Sequence, residues 1–316
     1  MHPRHHPSQL RRPRTTVLAL LAVGGLLVAA CGDDDTDSES ITDIDITDVE
    51  LEELDPDDLV PTIGSGLSKP AVKVPAEIPS ELVITDLEDG TGRAASNGDT
   101  VYVNYVGVRS EDGQEFDDNY DSPVPFSVTL GQGGVIQGWE TGLVGATAGM
   151  RRQLDIPADL AYGDSGAGDI IQPGDALSFV VDVRAVVPAV DASDAPEGLD
   201  LETVAGLDEV EIVTVRPGSG PAIAGGETAV VHIELYRGSD LEPLLSTWEF
   251  GSPEVIPVIE GATLAGLVNG FTGMTVDEVR IVSIPAEQAW GELGNDMLGV
   301  GPDEDIVLVA ELVAVL

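Results

Sequence analysis

The stretch GGVIQGWETG, Gly133 to Gly142, decides how this chain is read. It sets one of only three tryptophans just after Val135 and Ile136, in a run rich in glycine. Glycine suits tight turns and close backbone approach, whereas Trp, Val and Ile seek apolar contact. Two arrangements satisfy both demands. One is a short helix packed on a sheet. The other is the floor of an apolar pocket with backbone N–H groups left beside it.

The flanking segments choose a sheet. DTVYVNYVGV and QLDIPA alternate, and ALSFVVDVRAVV is strongly β-branched. Turn signals separate these runs, and a helix is suggested only around Gly138 to Leu143. The expected fold class is α+β, an antiparallel sheet with one short helix on its apolar face. The pattern then recurs. GDTVYVNYVGVR from Gly98 matches GETAVVHIELYR from Gly226, and DIPADLAYG from Asp155 matches SIPAEQAWG from Ser283. Both matches are offset by 128 residues. That period is too long for a solenoid and implies two tandem domains.

Composition removes several function classes. The formal charge is -43 with 14 Lys and Arg in 316 residues, so nucleic acid is not an expected partner. His2, His5 and His6 crowd the N-terminus and leave His232 alone beyond it, and Cys31 is the single cysteine. A Ser–His–Asp triad in the first domain, a Cys/His zinc site and a disulfide are therefore not expected. No metal and no cofactor is expected either.

RRPRTT, Arg11 to Thr16, followed by the apolar run Val17 to Ala30, reads as an export signal too short to span a bilayer comfortably. VAAC, Val28 to Cys31, resembles a bacterial lipobox. That resemblance implies removal of residues 1–30, a lipid on Cys31 and an extracytoplasmic protein anchored to the bacterial cell membrane. Loss of Arg4, Arg11, Arg12 and Arg14 would take the charge to -47. The expected organisation is a signal peptide at 1–30, an acidic disordered linker at 31–78, a first domain at 79–188, a linker at 189–207 and a second domain at 208–316. The acidic stretch Gly32 to Asp58 has no calcium-binding loop pattern.

From about Ser80 to Pro188 the pieces VNYVG, EDGQEFDDNY, PFSVTLG, GGVIQGWETGL and LAYGDSGAGDIIQPGDALSFVVDV occur in order. Together they resemble the FK506-binding-protein type of peptidyl-prolyl isomerase. The resemblance implies a twisted antiparallel sheet wrapped on a short helix and a proline-binding cup of Tyr105, Phe116, Phe126, Trp139, Tyr162 and Phe179. It implies Asp117 as the pocket aspartate, Val135 and Ile136 at the cup edge, with the Ile136 N–H meeting a ligand carbonyl, and Ile170 and Ile171 as an overhanging loop. The implied partners are proline-containing exported polypeptides, with FK506- and rapamycin-like macrolides as candidate ligands. Two positions depart from the archetype: Ser122 stands where an arginine is common, and Ala167 where a histidine is found. Taken singly, Tyr105 or Phe126 reads as sheet core and Trp139 as helix–sheet core; their joint spacing carries the site.

Applying the 128-residue offset empties the second cup. Tyr105 becomes Ile233, Phe116 Leu244, Asp117 Leu245, Phe126 Glu254, Trp139 Leu267, Tyr162 Trp290, Ile171 Gly299 and Phe179 Val307. The expectation is the same fold without the isomerase site, with His232 a surface or satisfied strand histidine rather than a catalyst. A rival reading is an extracytoplasmic chaperone or binding lipoprotein that uses this fold without significant catalysis.

Overall fold

A computed structural model describes residues 68–122 and 124–316. The expected export signal, Cys31 and most of the acidic linker lie outside the described residues.

The first domain is a six-stranded antiparallel sheet with strands β1 (Val83–Glu88), β2 (Thr100–Arg109), β3 (Glu115–Asp118), β4 (Phe126–Thr129), β5 (Arg151–Ile156) and β6 (Leu177–Val187). Their order is β1-β5-β6-β2-β3, and β4 pairs beside β3 on β2. One short helix, α1 (Gln137–Gly142), lies on the concave face. The second domain repeats this with β7 (Glu211–Arg216), β8 (Thr228–Arg237), β9 (Pro243–Ser246), β10 (Glu254–Pro257), β11 (Val279–Ile284) and β12 (Ile306–Val315). It carries the matching helix α3 (Ala265–Phe271) and an added turn, α2 (Thr247–Phe250). The α+β reading and the tandem arrangement both hold.

The glycines of the opening stretch now have a cause. A Cβ on Gly138 would stand 2.4 Å from Ile156 Cγ2, and one on Gly142 would stand 2.7 Å from Leu154 Cδ2. The helix backbone therefore rests directly on β5, which only glycine at these positions allows. Trp139 projects the other way along the core and is 3% exposed. The C-terminal end of α1 is closed from the sheet: Arg152 Nη1 donates to Gly142 O at 2.8 Å and to Val144 O at 3.2 Å. A cation on the last carbonyls also suits the helix dipole.

Alternation along β2 leads one to expect a wet outer face, yet seven of its ten residues are buried and the other three half-buried. Two neighbours cover it. Residues 69–74 cross the back of the sheet, where Val72 packs on Val106, Tyr120 and Val180, and Gln153 Nε2 donates to Lys73 O at 2.8 Å. Lys69 pairs there with Glu115 at 2.6 Å and Asp118 at 2.8 Å. The packed unit thus begins before the expected boundary at 79. The second neighbour is the other domain: Tyr102, Ala185 and Val187 form one apolar cluster with Val230, Val255, Val313, Ala314 and Leu316. The two domains touch through the faces turned away from their helices.

The segment expected as a linker at 189–207 also makes contacts. A capped 3₁₀ turn at Ala192–Asp194 packs on α2. Val204 N–H donates to Gly238 O at 2.8 Å and Leu207 N–H to Asp305 Oδ2 at 2.9 Å.

Candidate functional site

Five rings meet on the concave face of the first sheet. Trp139 stands edge-on to Tyr105, Phe179 and Phe126, with centroids 5.1, 5.3 and 6.2 Å away. Phe116 meets Phe179 edge-on at 5.6 Å, and Tyr105 meets Phe126 at 5.9 Å. Edge-to-face pairs of this kind contribute about 0.5–1.5 kcal/mol each beyond area burial. Trp139 and Phe179 form a buried floor, while Phe126 and Tyr162 are about two-fifths exposed at the mouth. Val135 and Ile136 pack against the same core immediately before α1. Five of the six expected cup rings, Tyr105, Phe116, Phe126, Trp139 and Phe179, therefore meet in one cluster, while Tyr162 stands apart from those ring contacts and lines the adjoining cavity with Phe116.

Gly107 makes the ring arrangement possible and was not singled out by sequence reasoning. A Cβ there would lie 2.7 Å from Phe179 Cε1 and 2.8 Å from Phe116 Cζ. The signal was present in VNYVG as a glycine inside a strand, a mark of close approach.

Asp117 accepts from Tyr105 Oη at 2.6 Å. Ser122, which replaces the archetype's arginine, bonds Val124 O at 2.7 Å instead. The Tyr105 phenol is held far above its ordinary pKa, first by burial and then by its bond to Asp117. Tyr162 is raised by burial and by the Asp117 charge. Both hydroxyls therefore stay protonated donors across the physiological range. A cavity of about 220 Å³ opens between Phe116, Asp117 and Tyr162 on one side and the 167–171 loop on the other. Ile170 is half-buried there. Ile171, expected only as overhang, is 7% exposed and belongs to the core, pinned by paired backbone bonds with Ala167.

The second domain lacks this arrangement for a concerted reason. Leu235 occupies the Gly107 position and is fully buried, so rings matching Phe116 and Phe179 have no room. Two of the expected correspondences need correction. Leu154 faces Phe179 in the first sheet, whereas Val282 faces Leu308 in the second. Likewise Ala167 bridges Ile171, but Asn295 bridges Val300. One extra residue in the 295–300 loop shifts the offset, so Phe179 matches Leu308 rather than Val307, and Ile171 matches Val300 rather than Gly299. His232 is buried, stacked on Trp248 at 5.2 Å, with Nδ1 3.1 Å from Thr247 Oγ1; burial lowers its pKa to about 4.

The family model described as FKBP-type peptidyl-prolyl cis-trans isomerase matches twice, at residues 91–184 and 220–313. An FK506-binding protein of Streptomyces anulatus is 48% identical over 122 residues, 38% of this chain and 98% of that protein. Rat peptidyl-prolyl cis-trans isomerase FKBP9 is 32% identical over 224 residues, 69% of this chain and 36% of that protein. The crystal structure of FkpA from Escherichia coli is 39% identical over 37% of this chain and 52% of that one, with a TM-score of 0.32.

Proposed function

The chain belongs to the FKBP-type peptidyl-prolyl cis-trans isomerase family, and from that premise we propose that its first domain turns X–Pro bonds of exported proteins in the aromatic cup. The observation that carries this reading is the ring cluster around Trp139 beside the Tyr105–Asp117 pair. Rotation about an X–Pro bond breaks amide resonance against a barrier of roughly 18–20 kcal/mol. A twisted amide separates less charge than a planar one. It moves more readily from water into an apolar pocket, so a dry cup favours the transition state over the ground state. Trp139 and Phe179 form the floor for the proline ring. Tyr105, Phe116 and Phe126 wall it. Val135 and Ile136 form the edge, where the Ile136 N–H meets one flanking carbonyl and Tyr162 Oη the other. Ile170 and Ile171 close the loop side. Asp117 holds Tyr105 in place and transfers no proton.

FK506- and rapamycin-like macrolides would compete for the same cup. The second domain has no isomerase role. We also propose that Cys31 carries a lipid after removal of residues 1–30, holding the enzyme on the outer side of the bacterial membrane. VAAC and the single cysteine support this, and a Cys31→Ser chain that still incorporates labelled fatty acid would refute it.

The deciding experiment measures cis–trans exchange of an X–Pro peptide by the two-domain protein and by Trp139→Leu, which copies Leu267 of the second domain. The expected result is catalysis by the parent and a loss of at least tenfold, on the order of 1.4 kcal/mol in the barrier, in the variant. A folded parent that does not accelerate exchange would overturn the reading in favour of a binding protein.

A further inference from the structure

The two domains part company at one corner of the short helix. In the first, Glu140 of α1 turns back onto the loop after β4 and accepts from Gly134 N–H at 3.1 Å and from Gly131 N–H. In the second, the matching residue is Val268. The chain approaches that corner in the same way in both. Gly98 N–H to Leu130 O and Leu130 N–H to Asp99 O recur as Gly226 N–H to Val258 O and Val258 N–H to Glu227 O.

Ile259 therefore holds the position of Gly131, and its N–H meets no acceptor among the described residues. Ala262 N–H, the counterpart of Gly134 N–H, is satisfied instead by Ile259 O at 3.2 Å. A cavity of about 570 Å³ stands where Glu140 would lie, lined by Val258, Ile259, exposed Glu260, Val268, Asn269 and Thr272. Thr272 Oγ1 donates to Val268 O at 2.7 Å. Asn269 Nδ2 donates to Gln288 Oε1 at 2.8 Å, which uses one of its two amide hydrogens and leaves the other.

We propose that this slot of the second domain binds a carboxylate carried on a short aliphatic stem, the group that Glu140 supplies from within the chain in the first domain. The aliphatic stem lies on Val258 and Val268, and a carboxylate oxygen takes the Ile259 N–H. Ile259 is half-buried, and a charged acceptor makes a stronger hydrogen bond to an N–H than a neutral one does. Glu260 and the overall negative charge oppose an anion, so occupancy rises with salt as that repulsion is screened. A chain terminus and a Glu side chain both present this chemistry. The site is independent of the isomerase cup.

The test titrates the ¹⁵N-labelled two-domain protein with butyrate and follows the Ile259 and Asn269 amide resonances. A saturable shift at Ile259 with butyrate, and none with butyramide, is expected. Val268→Glu should weaken binding at least tenfold by filling the slot, with X–Pro exchange unchanged. Glu260→Gln should tighten binding several-fold at low salt. If Val268→Glu does not fold, Asn269→Leu is read in its place with the same expectation. A peptide with a free C-terminus and an amidated peptide with an internal Glu then tell the two sources apart; binding of either supports the site. An unmoved Ile259, equal binding of butyramide, or undiminished binding by the slot variant overturns the proposal.

Discussion

Replacing Glu254 by glutamine should stabilise the protein in a pH-dependent way. Glu254 takes the position of Phe126 and lies on the same strand face as Ile256, which is part of the second core. Among the described residues its carboxylate has no ion-pair or hydrogen-bond partner, and burial pushes its pKa up from 4.5 to about 7. A carboxylate that is easier to protonate when folded than when unfolded penalises the fold once it is ionised. Below pH 4.5 the group is protonated in both states and imposes no penalty. Between 4.5 and 7 the penalty grows, and above 7 it is complete. A rise of that size corresponds to about 3 kcal/mol at 1.36 kcal/mol per pH unit before solvent screening of this partly exposed carboxylate lowers it. Glu254→Gln keeps the shape and removes the ionisation. Its stability by urea unfolding should match the parent's near pH 4 and exceed it by about 2–3 kcal/mol at pH 8. The charge of Glu254 also raises the phenol of Tyr102, after burial, to about 12 at the domain contact, so that phenol should titrate at lower pH in the variant. Stability curves of parent and variant that run parallel from pH 4 to 8 would refute the argument.

Three further outcomes follow from the geometry. Gly107→Ala should displace the Phe116 and Phe179 rings and destabilise the first domain by about 1–3 kcal/mol, with lost X–Pro exchange and a changed tryptophan emission from Trp139. Tyr105→Phe removes the 2.6 Å bond to Asp117 but keeps the ring; a stability loss of about 1 kcal/mol is expected because Asp117 is exposed, and a fall in kcat/KM checks the positioning role. Val72→Ser should loosen the segment that crosses the back of the first sheet, seen as faster amide exchange at Val106 and Val180 with the cup's catalysis retained.

The parts of this molecule legible in its sequence are those with a local signature. Strand runs, the glycine-spaced helix and the duplicated SIPA and DIPA turns announce the tandem α+β frame, and the cup is implied by the family resemblance of the ordered motifs. What was hidden depends on contacts distant in sequence. Gly107 shows its importance only when Phe116 and Phe179 arrive from other strands. The longer 295–300 loop escapes a fixed offset because both anchors used to set that offset precede it. The burial of Tyr102 requires a second domain to be docked, and the covered back of β2 requires residues 69–74 to lie across it. Composition alone reads that segment as linker.

The arginine that closes each helix also bears on how two similar domains in one chain avoid exchanging their first strands. Both β1 and β7 are sheet edges that pair in the same register with β5 and β11. Arg152 and Arg280 occupy the same place, and each reaches back to the end of its helix. Their counter-charges come from different places. Arg152 is met across the pair by Asp86 of β1 at 2.6 Å, whereas Arg280 is met by Glu278, the residue just before its own β11, and faces Thr214 of β7. A swapped β7 would give buried Arg152 a threonine and no carboxylate, since Met150 stands at the Glu278 position. A swapped β1 would set Asp86 beside Glu278, two acids against one arginine. Each error buries a mismatched charge. Tandem repeats are prone to misassembly between neighbours during folding, and in this chain moving the acid from the edge strand to the turn before its neighbour sets a charge mismatch against exchange of the first strands.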